Sequence, residues 1–231
     1  MSRVLHGVIP AAGIGTRMGS EIPKQYLRLL GRTLLEHSLH AMLRVPGMQS
    51  VTLALHPEDT TAAGLDILGD ARVNTVAGGA ERVDSVQAAL RAVPGTRDDW
   101  VLVHDAARPC LQQDDVMRLV DVVLTQGEGA ILALPVVDTV KLADAQGKAL
   151  RTLDRNRLWR AQTPQMFRLG ELLDALESAQ AAGATVTDEA SAMEHAGYPV
   201  HLVPGAASNL KVTVPEDLQL AEWYLSRQGE H

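Results

Sequence analysis

Apolar runs of strand length alternate with helix-length patterns along the chain, and this rhythm constrains the fold more than any other feature. The strand candidates are Val4–Ile9, Val51–Leu55, Val73–Val76, Trp100–Val103 and Ala130–Leu134. Their near-continuous apolarity predicts strands buried on both faces, as in a parallel sheet covered by helices. Between them, Thr33-Leu-Leu-Glu36 has the form of a capping box, with Leu35, Leu39, Met42 and Leu43 on one helical face. Glu81–Val93 spaces Val83, Val86, Ala89, Leu90 and Val93 helically, and Asp114–Leu124 and Glu171–Ala182 behave alike. Thr213-Val-Pro-Glu216 opens a last helix, with Pro215 and two acids in its first turn. Strand alternating with helix predicts an α/β sandwich, and ligands in such folds bind beyond the C-terminal ends of the strands.

One segment departs from the rhythm. In Val136–Leu153, Thr139-Val-Lys-Leu and Ala149-Leu-Arg-Thr-Leu flank a polar turn, which predicts a hairpin leaving the sheet. A two-stranded arm is marginal in water by itself, so it is expected to pack on something, and a second subunit is the simplest candidate.

The chain has 231 residues and no internal repeat or linker, so one domain over 1–231 is expected, with the arm at about 136–157. A net charge of −7 argues against long nucleic acids, which need a basic surface. Three Trp, three Tyr and one Phe are too few for base-stacking platforms. Cys110 is the only cysteine, which excludes an intrachain disulfide and a multi-cysteine zinc site and fits a reducing cytoplasm. The segment before Pro10 is too short in apolar residues for a signal peptide. The longest purely apolar run, Ala130 to Val137, falls far short of the roughly 20 residues of a membrane span. A soluble cytoplasmic protein with no nucleic-acid or membrane partner is expected.

The first strand runs into Ala11-Ala-Gly-Ile-Gly-Thr-Arg-Met-Gly19, then Ser-Glu-Ile-Pro-Lys24. Small residues here let successive backbone N–H groups approach an anion, and Arg17 and Lys24 add charge, so phosphate is the ligand this combination suits. A Walker loop fails, because no Gly-Lys-Ser/Thr enters a helix. A dinucleotide fingerprint fails too, because Gly13, Gly15 and Gly19 give GxGxxxG and Pro23 interrupts any helix. This spacing disfavours a nicotinamide-dependent oxidoreductase. Residues 11–32 hold Arg17, Lys24, Arg28 and Arg32 against only Glu21, a local +3 on an acidic chain.

The loop, with Pro23-Lys-Gln-Tyr26, resembles the signature of nucleotidyltransferases that move a nucleotide from a triphosphate to a phosphorylated acceptor. Glu81-Arg-Val-Asp-Ser85, His104-Asp-Ala-Ala-Arg-Pro109, Asp138-Thr-Val-Lys141, Thr163-Pro-Gln-Met-Phe167, Thr187-Asp-Glu-Ala-Ser191 and Asn209-Leu-Lys-Val-Thr213 follow in order. Together they resemble the cytidylyltransferases of the non-mevalonate isoprenoid pathway over nearly the whole chain. Ribitol 5-phosphate cytidylyltransferases share much of this framework.

The resemblance implies a Rossmann-like nucleotidyltransferase sandwich, with a mostly parallel sheet and a projecting β-arm that exchanges across a homodimer. It implies CMP transfer from CTP to 2-C-methyl-D-erythritol 4-phosphate, with Mg²⁺ and release of pyrophosphate. It also implies that no cyclodiphosphate synthase is fused after the Thr213 helix. Arg17 and Lys24 would hold the triphosphate, with Gly15 and Thr16 in the same loop. Ala11, Ala12, Gly13, Gly79, Ala80 and Ser85 would recognise cytosine, mostly through backbone. Relatives often carry a polar residue at Ala80, so a side-chain contact is lost there; the same holds peripherally at Val214. Asp105, at the C-terminal end of a strand, would be the Mg²⁺ ligand, and an Asp there could also cap the following turn. Arg108, Thr139, Thr187 and Lys211 would hold the acceptor, and Arg155 would reach the partner subunit's site. Arg155 and Lys211 would position the nucleophile beside Arg17 and Lys24. Thr187 also sits where a helix N-cap is expected, and Lys211 lies in an apolar stretch that reads as a strand. His104 and Cys110 read as packed structure, not as a proton carrier and a nucleophile.

Overall fold

The first strand, β1 (Leu5–Ala11), is buried along most of its length and lies inside the sheet with partners on both edges. The structure, a computed structural model, describes residues 4–13 and 22–228. Gly15, Thr16 and Arg17 of the expected phosphate loop therefore lie outside the described residues.

A small antiparallel ribbon, β2 (Arg28–Leu29) and β3 (Arg32–Thr33), leads into α1 (Leu34–Leu43). The expected capping box is present: Glu36 N–H donates to Thr33 Oγ1 at 3.1 Å, and Thr33 N–H donates to the Glu36 carboxylate at 2.7 Å. The chain continues through β4 (Met48–Leu55), β5 (Val73–Ala77), α2 (Arg82–Arg91), β6 (Trp100–Val103), α3 (Gln113–Gln126) and β7 (Gly129–Pro135). Helix α3 stops at Gly127, whose φ of 72° is a left-handed conformation that glycine adopts without steric cost. After the arm strands β8 (Lys141–Ala143) and β9 (Ala149–Thr152) come β10 (Trp159–Arg168), α4 (Leu169–Ala181), α5 (Glu189–His195), β11 (Val200–Pro204) and α6 (Pro215–Gln228).

Seven strands form one sheet in the order β11-β7-β10-β6-β1-β4-β5. The pairs β1–β4, β1–β6, β4–β5 and β7–β11 are parallel, and β10 runs antiparallel to both β6 and β7. The fold is thus an α/β sandwich on a mostly parallel sheet, and the continuous apolarity of the strands has a direct cause. Trp100 and Leu102 join the core layer that holds Leu35, Leu39 and Met42 of α1 and Leu119 and Val123 of α3. Val101 and Val103 point the other way, into the layer formed with Val86 and Leu90 of α2, Leu172 and Leu176 of α4 and Met193 of α5. Each fully buried Leu or Val contributes about 1.5–3 kcal/mol, so neither face tolerates a polar residue without a partner.

All five expected strands and the expected helices are present, with ends shifted by a few residues. Strands β10 and β11 and helix α5 were not among the expected elements. Lys211 is not in a strand: residues 205–214 are irregular. The hairpin is present as its own two-stranded sheet, with every residue of β8 and β9 exposed. Its turn is built by Asp144, whose Oδ1 accepts N–H bonds from Gln146 and Lys148 at 3.0 and 2.9 Å. Among the described residues, no helix is long and apolar enough to cross a membrane.

Candidate active site

Parallel pairing of β1 with β6 brings their C-terminal ends to one edge of the sheet, so Ala11–Gly13 and His104–Arg108 emerge together. Strand β5 ends beside them and turns through Gly78 and Gly79 into α2. A Cβ on Gly78 would lie 2.5 Å from Ala12 Cβ, and one on Gly79 would lie 2.2 Å from Asp84 Cβ. The turn therefore approaches the first loop only because both residues lack side chains. Ser85 fixes it from beneath: its hydroxyl accepts Gly79 N–H at 3.2 Å and donates to Glu81 C=O at 3.1 Å. On the opposite wall, Gln25 donates to Ala11 C=O at 2.8 Å and draws its neighbour Lys24 to the rim.

These walls enclose a cleft of about 260 Å³ lined by Ala11, Ala12, Gly13, Lys24, Gly79, Ala80 and Ser85, among others. Every expected nucleotide-site residue within the described segments is there. A second cleft of about 240 Å³ adjoins it, lined by Arg108, Thr187, Gln162, Gln165 and others. Arg82, Asp105 and Lys211 line both clefts and so form the wall between them.

That wall is a knot of ion pairs. Asp105 Oδ1 accepts from Arg82 at 3.2 Å; Oδ2 accepts from Arg108 Nε at 3.3 Å and from Lys211 Nζ at 3.0 Å. Arg82 makes a second, two-pronged bond to Glu189, at 2.7 and 3.1 Å. Asp105 and Glu189 are 6% and 1% exposed. Burial alone would raise the Asp105 pKa, but Arg82, Lys211 and Arg108 hold it well below the usual carboxylate range. Burial likewise works against the Arg82 charge, and Glu189 and Asp105 more than restore it. Three cations against two carboxylates leave the wall positive, as an anion site requires.

The Asp105 loop is held by a second network. Asp105 N–H donates to Thr163 Oγ1 at 3.0 Å, Thr163 Oγ1 bonds His104 Nδ1 at 3.0 Å, and His104 Nε2 bonds Arg108 C=O at 3.1 Å. The Arg108 carbonyl requires the proton on Nε2, and in the neutral ring Nδ1 then accepts the Thr163 hydroxyl. Burial keeps the ring neutral, pulling the His104 pKa down to about 4. His104 is thus packed structure, as expected. Asn209 completes the frame: its Nδ2 donates to Thr163 C=O at 2.7 Å and its own C=O accepts from Arg108 at 2.7 Å. Val212 N–H donates to Ala107 C=O at 2.8 Å, which sets Lys211 against Asp105. Cys110 is fully buried under α6, with burial raising its thiol to about 12, and it serves as filler.

Thr139 and Arg155 line neither cleft. Both are exposed on the arm, where Arg155 donates to Val137 C=O at 2.6 Å. Thr187 lines the second cleft but is not the helix cap: Asp188 is, accepting Ser191 N–H at 3.0 Å and Gln165 at 2.9 Å. The side chain one position further on is the one that reaches the α5 N–H groups.

Arg82 and Glu189 were missed in the sequence, although both lie in quoted motifs. Arg82 had a signal, since a cation in the first turn of a helix opposes the macrodipole and needs a partner. Glu189 had none, because an acid in a first turn is what the dipole favours anyway.

A family model described as IspD: 2-C-methyl-D-erythritol 4-phosphate cytidylyltransferase matches residues 5–227. The 2-C-methyl-D-erythritol 4-phosphate cytidylyltransferase of Haemophilus influenzae is 49% identical over 227 residues, which span 98% of this chain and 99% of that protein. The enzyme of that name from Aeromonas hydrophila is 52% identical over 225 residues, 97% of this chain and 91% of its own. The crystal structure of the Francisella tularensis enzyme matches with a TM-score of 0.83 at 34% identity, covering 96% of this chain and 99% of that one.

Proposed function

The chain belongs to the 2-C-methyl-D-erythritol 4-phosphate cytidylyltransferase family, and from that premise we propose how its residues divide the work. The reaction transfers CMP from CTP to 2-C-methyl-D-erythritol 4-phosphate in non-mevalonate isoprenoid synthesis, giving 4-diphosphocytidyl-2-C-methyl-D-erythritol and pyrophosphate. An oxygen of the acceptor phosphate attacks the α-phosphorus of CTP. A new P–O bond forms, the bond to the β-phosphate oxygen breaks, and pyrophosphate carries away the electron pair. The acceptor oxygen is already ionised near neutral pH, so no side chain need remove a proton. What the protein supplies is alignment of two anions and neutralisation of their charge.

The single observation that carries this reading is the pair of clefts sharing one positive wall. CTP occupies the first cleft, with its base against Ala11, Ala12, Gly13, Gly79, Ala80 and Ser85, and its phosphates against Lys24 and the Gly15-Thr16-Arg17 segment. The acceptor occupies the second, with its phosphate at Arg108 and Lys211 and its polyol near Thr187. Arg82 and Lys211 then stand where the two substrates meet.

Among the described residues, no three His, Cys, Asp or Glu side chains gather to form a metal cage. Mg²⁺ needs none, since it binds through one or two carboxylates plus phosphates and waters. Asp105, held ionised on the shared wall, is the donor that fits it. When bound, the ion supplies neutralisation of triphosphate charge.

The whole chain acts as one nucleotidyltransferase domain whose arm, about 136–157, crosses to a second copy and brings Thr139 and Arg155 to that copy's acceptor cleft. The exposed Val137, Leu142 and Leu150 give the arm an apolar surface that suits such an exchange. A lone, deeply buried cysteine fits the cytoplasm.

The test is pyrophosphate release from CTP and Mg²⁺ with two acceptors in parallel. Release with 2-C-methyl-D-erythritol 4-phosphate far above that with ribitol 5-phosphate is expected; the reverse order would overturn the assignment of the second cleft.

A further inference from the structure

A concavity larger than either catalytic cleft lies elsewhere on the chain. A groove of about 570 Å³ lies between α1, the Pro109–Asp114 segment and the end of α6, and it shares no lining residue with the CTP cleft. Arg32, Arg44, His37 and His40 line it, against a single carboxylate, Asp114. Neither Arg32 nor Arg44 has an ion-pair partner among the described residues, although both are within reach of His40 electrostatically. The nearby Glu36 makes no ion pair with either; its Oε2 accepts from the Thr33 N–H and hydroxyl. Burial, first, and then Arg32 hold the His37 and His40 imidazoles below their ordinary pKa, against the opposing pull of Glu36 on both and of the Leu29 hydrogen bond on His37.

We infer that this groove is a second phosphate site, built for a small diphosphate-bearing molecule. Two guanidiniums with no ion-pair partner among the described residues offer planar forks that match phosphate oxygens, and the His40 imidazole adds an N–H donor, whereas the His37 Nε2 is taken by Leu29 C=O at 2.8 Å. The volume falls in the ordinary range for small-ligand sites. Leu30 and Leu225 on its walls accommodate an apolar substituent on the diphosphate. The position gives the site a second meaning. Arg32 belongs to the ribbon that follows Lys24, and Pro109–Gln113 follow directly on Asp105–Arg108. Ser38 of α1 donates to Ala106 C=O at 3.0 Å, so the groove wall is bonded to the back of the catalytic loop. A ligand seated there touches both catalytic loops from behind.

The experiment titrates the full chain with inorganic pyrophosphate by calorimetry, first alone and then with CTP saturating the catalytic cleft and no acceptor present. Two pyrophosphate sites are expected, one displaced by CTP and one indifferent to it. In the Arg32→Ser/Arg44→Ser variant the CTP-insensitive site should weaken by about tenfold or more, the scale of losing charge-assisted hydrogen bonds, while turnover without added pyrophosphate stays near normal. The single Arg44→Ser variant and the imidazole NMR signals of His37 and His40 give the same reading if the double variant does not fold. Absence of a CTP-insensitive site, its persistence in the variants, or an equal response to sulfate at matched ionic strength would overturn the proposal. Failure of CTP to displace either site would instead count against the assignment of the catalytic cleft, so the two failures are distinguishable.

Discussion

The ion-pair knot around Asp105 and the arm at 136–157 hold most of the residues assigned to the acceptor, and they are built in opposite ways. In the knot, the loop after β6, strand β10, the first turns of α2 and α5 and the segment before α6 converge, and their side chains satisfy one another inside one chain. In the arm, two short strands pair only with each other and expose every residue. The knot closes within one chain; the arm, in the proposed exchange, does not. A buried charge network must be positioned before the substrates arrive, because its members cannot be desolvated twice. An arm that serves another copy has to leave its own sheet, and exposure in the single chain is the cost of that.

The comparison breaks first at Asp105. Asp105→Ala leaves Arg82, Arg108 and Lys211 facing one another, and removing one partner of a buried ion network costs about 3–5 kcal/mol. Urea unfolding should register that loss; a change under about 1 kcal/mol would mean that the knot is solvated and not structural.

The next effect is pH-dependent. His104 is neutral in the folded chain with its pKa at about 4, against 6.5 unfolded. Its folded pKa is lowered, so the unfolded chain binds the extra proton between those values. Stability is therefore full above about pH 6.5 and falls as pH drops toward 4. Linkage puts the loss between pH 7 and pH 5 at about 2 kcal/mol from this residue. His6, also held low by burial, adds in the same direction. Unfolding at the two pH values should show this slope, and His104→Gln should flatten it; an unchanged slope would remove His104 from the account.

The smallest stability effect belongs to the arm. Arg155→Ala should change unfolding free energy by no more than about 0.5 kcal/mol, as for an exposed residue, while lowering CMP transfer. A large stability loss would mean that the arm packs on its own chain.

The same contrast explains what was legible in the sequence. Strands that only hold the core, such as Trp100–Val103, announce themselves by continuous apolarity. Strand β10 does not, because it carries Gln162, Thr163 and Gln165 to the acceptor cleft and contains Pro164, which argues against a central strand. Its ladder to β7 is broken between Ala161 and Gln165, where a missing N–H costs nothing. The site's own requirements disrupted the pattern that would have revealed it. Glu189 was hidden for a related reason: its sequence position has an ordinary explanation, and only the fold shows that Arg82 faces it. The arm was legible from its polar turn, yet the side chains it carries find no site in the single chain.

The central claim is the proposal that one chain supplies both clefts and their shared wall, and that the arm of a second copy completes them. Mixing Lys24→Ala chains with Arg155→Ala chains tests it most directly. Lys24→Ala alone should lower turnover by about 10²- to 10³-fold, the scale of losing one preorganised charge-stabilising donor. In a hybrid dimer, one site would carry both lesions and the other neither, so random mixing should restore about a quarter of normal activity under two-fold symmetry. No recovery, with subunit exchange confirmed, would contradict the account and return Arg155 to its own chain.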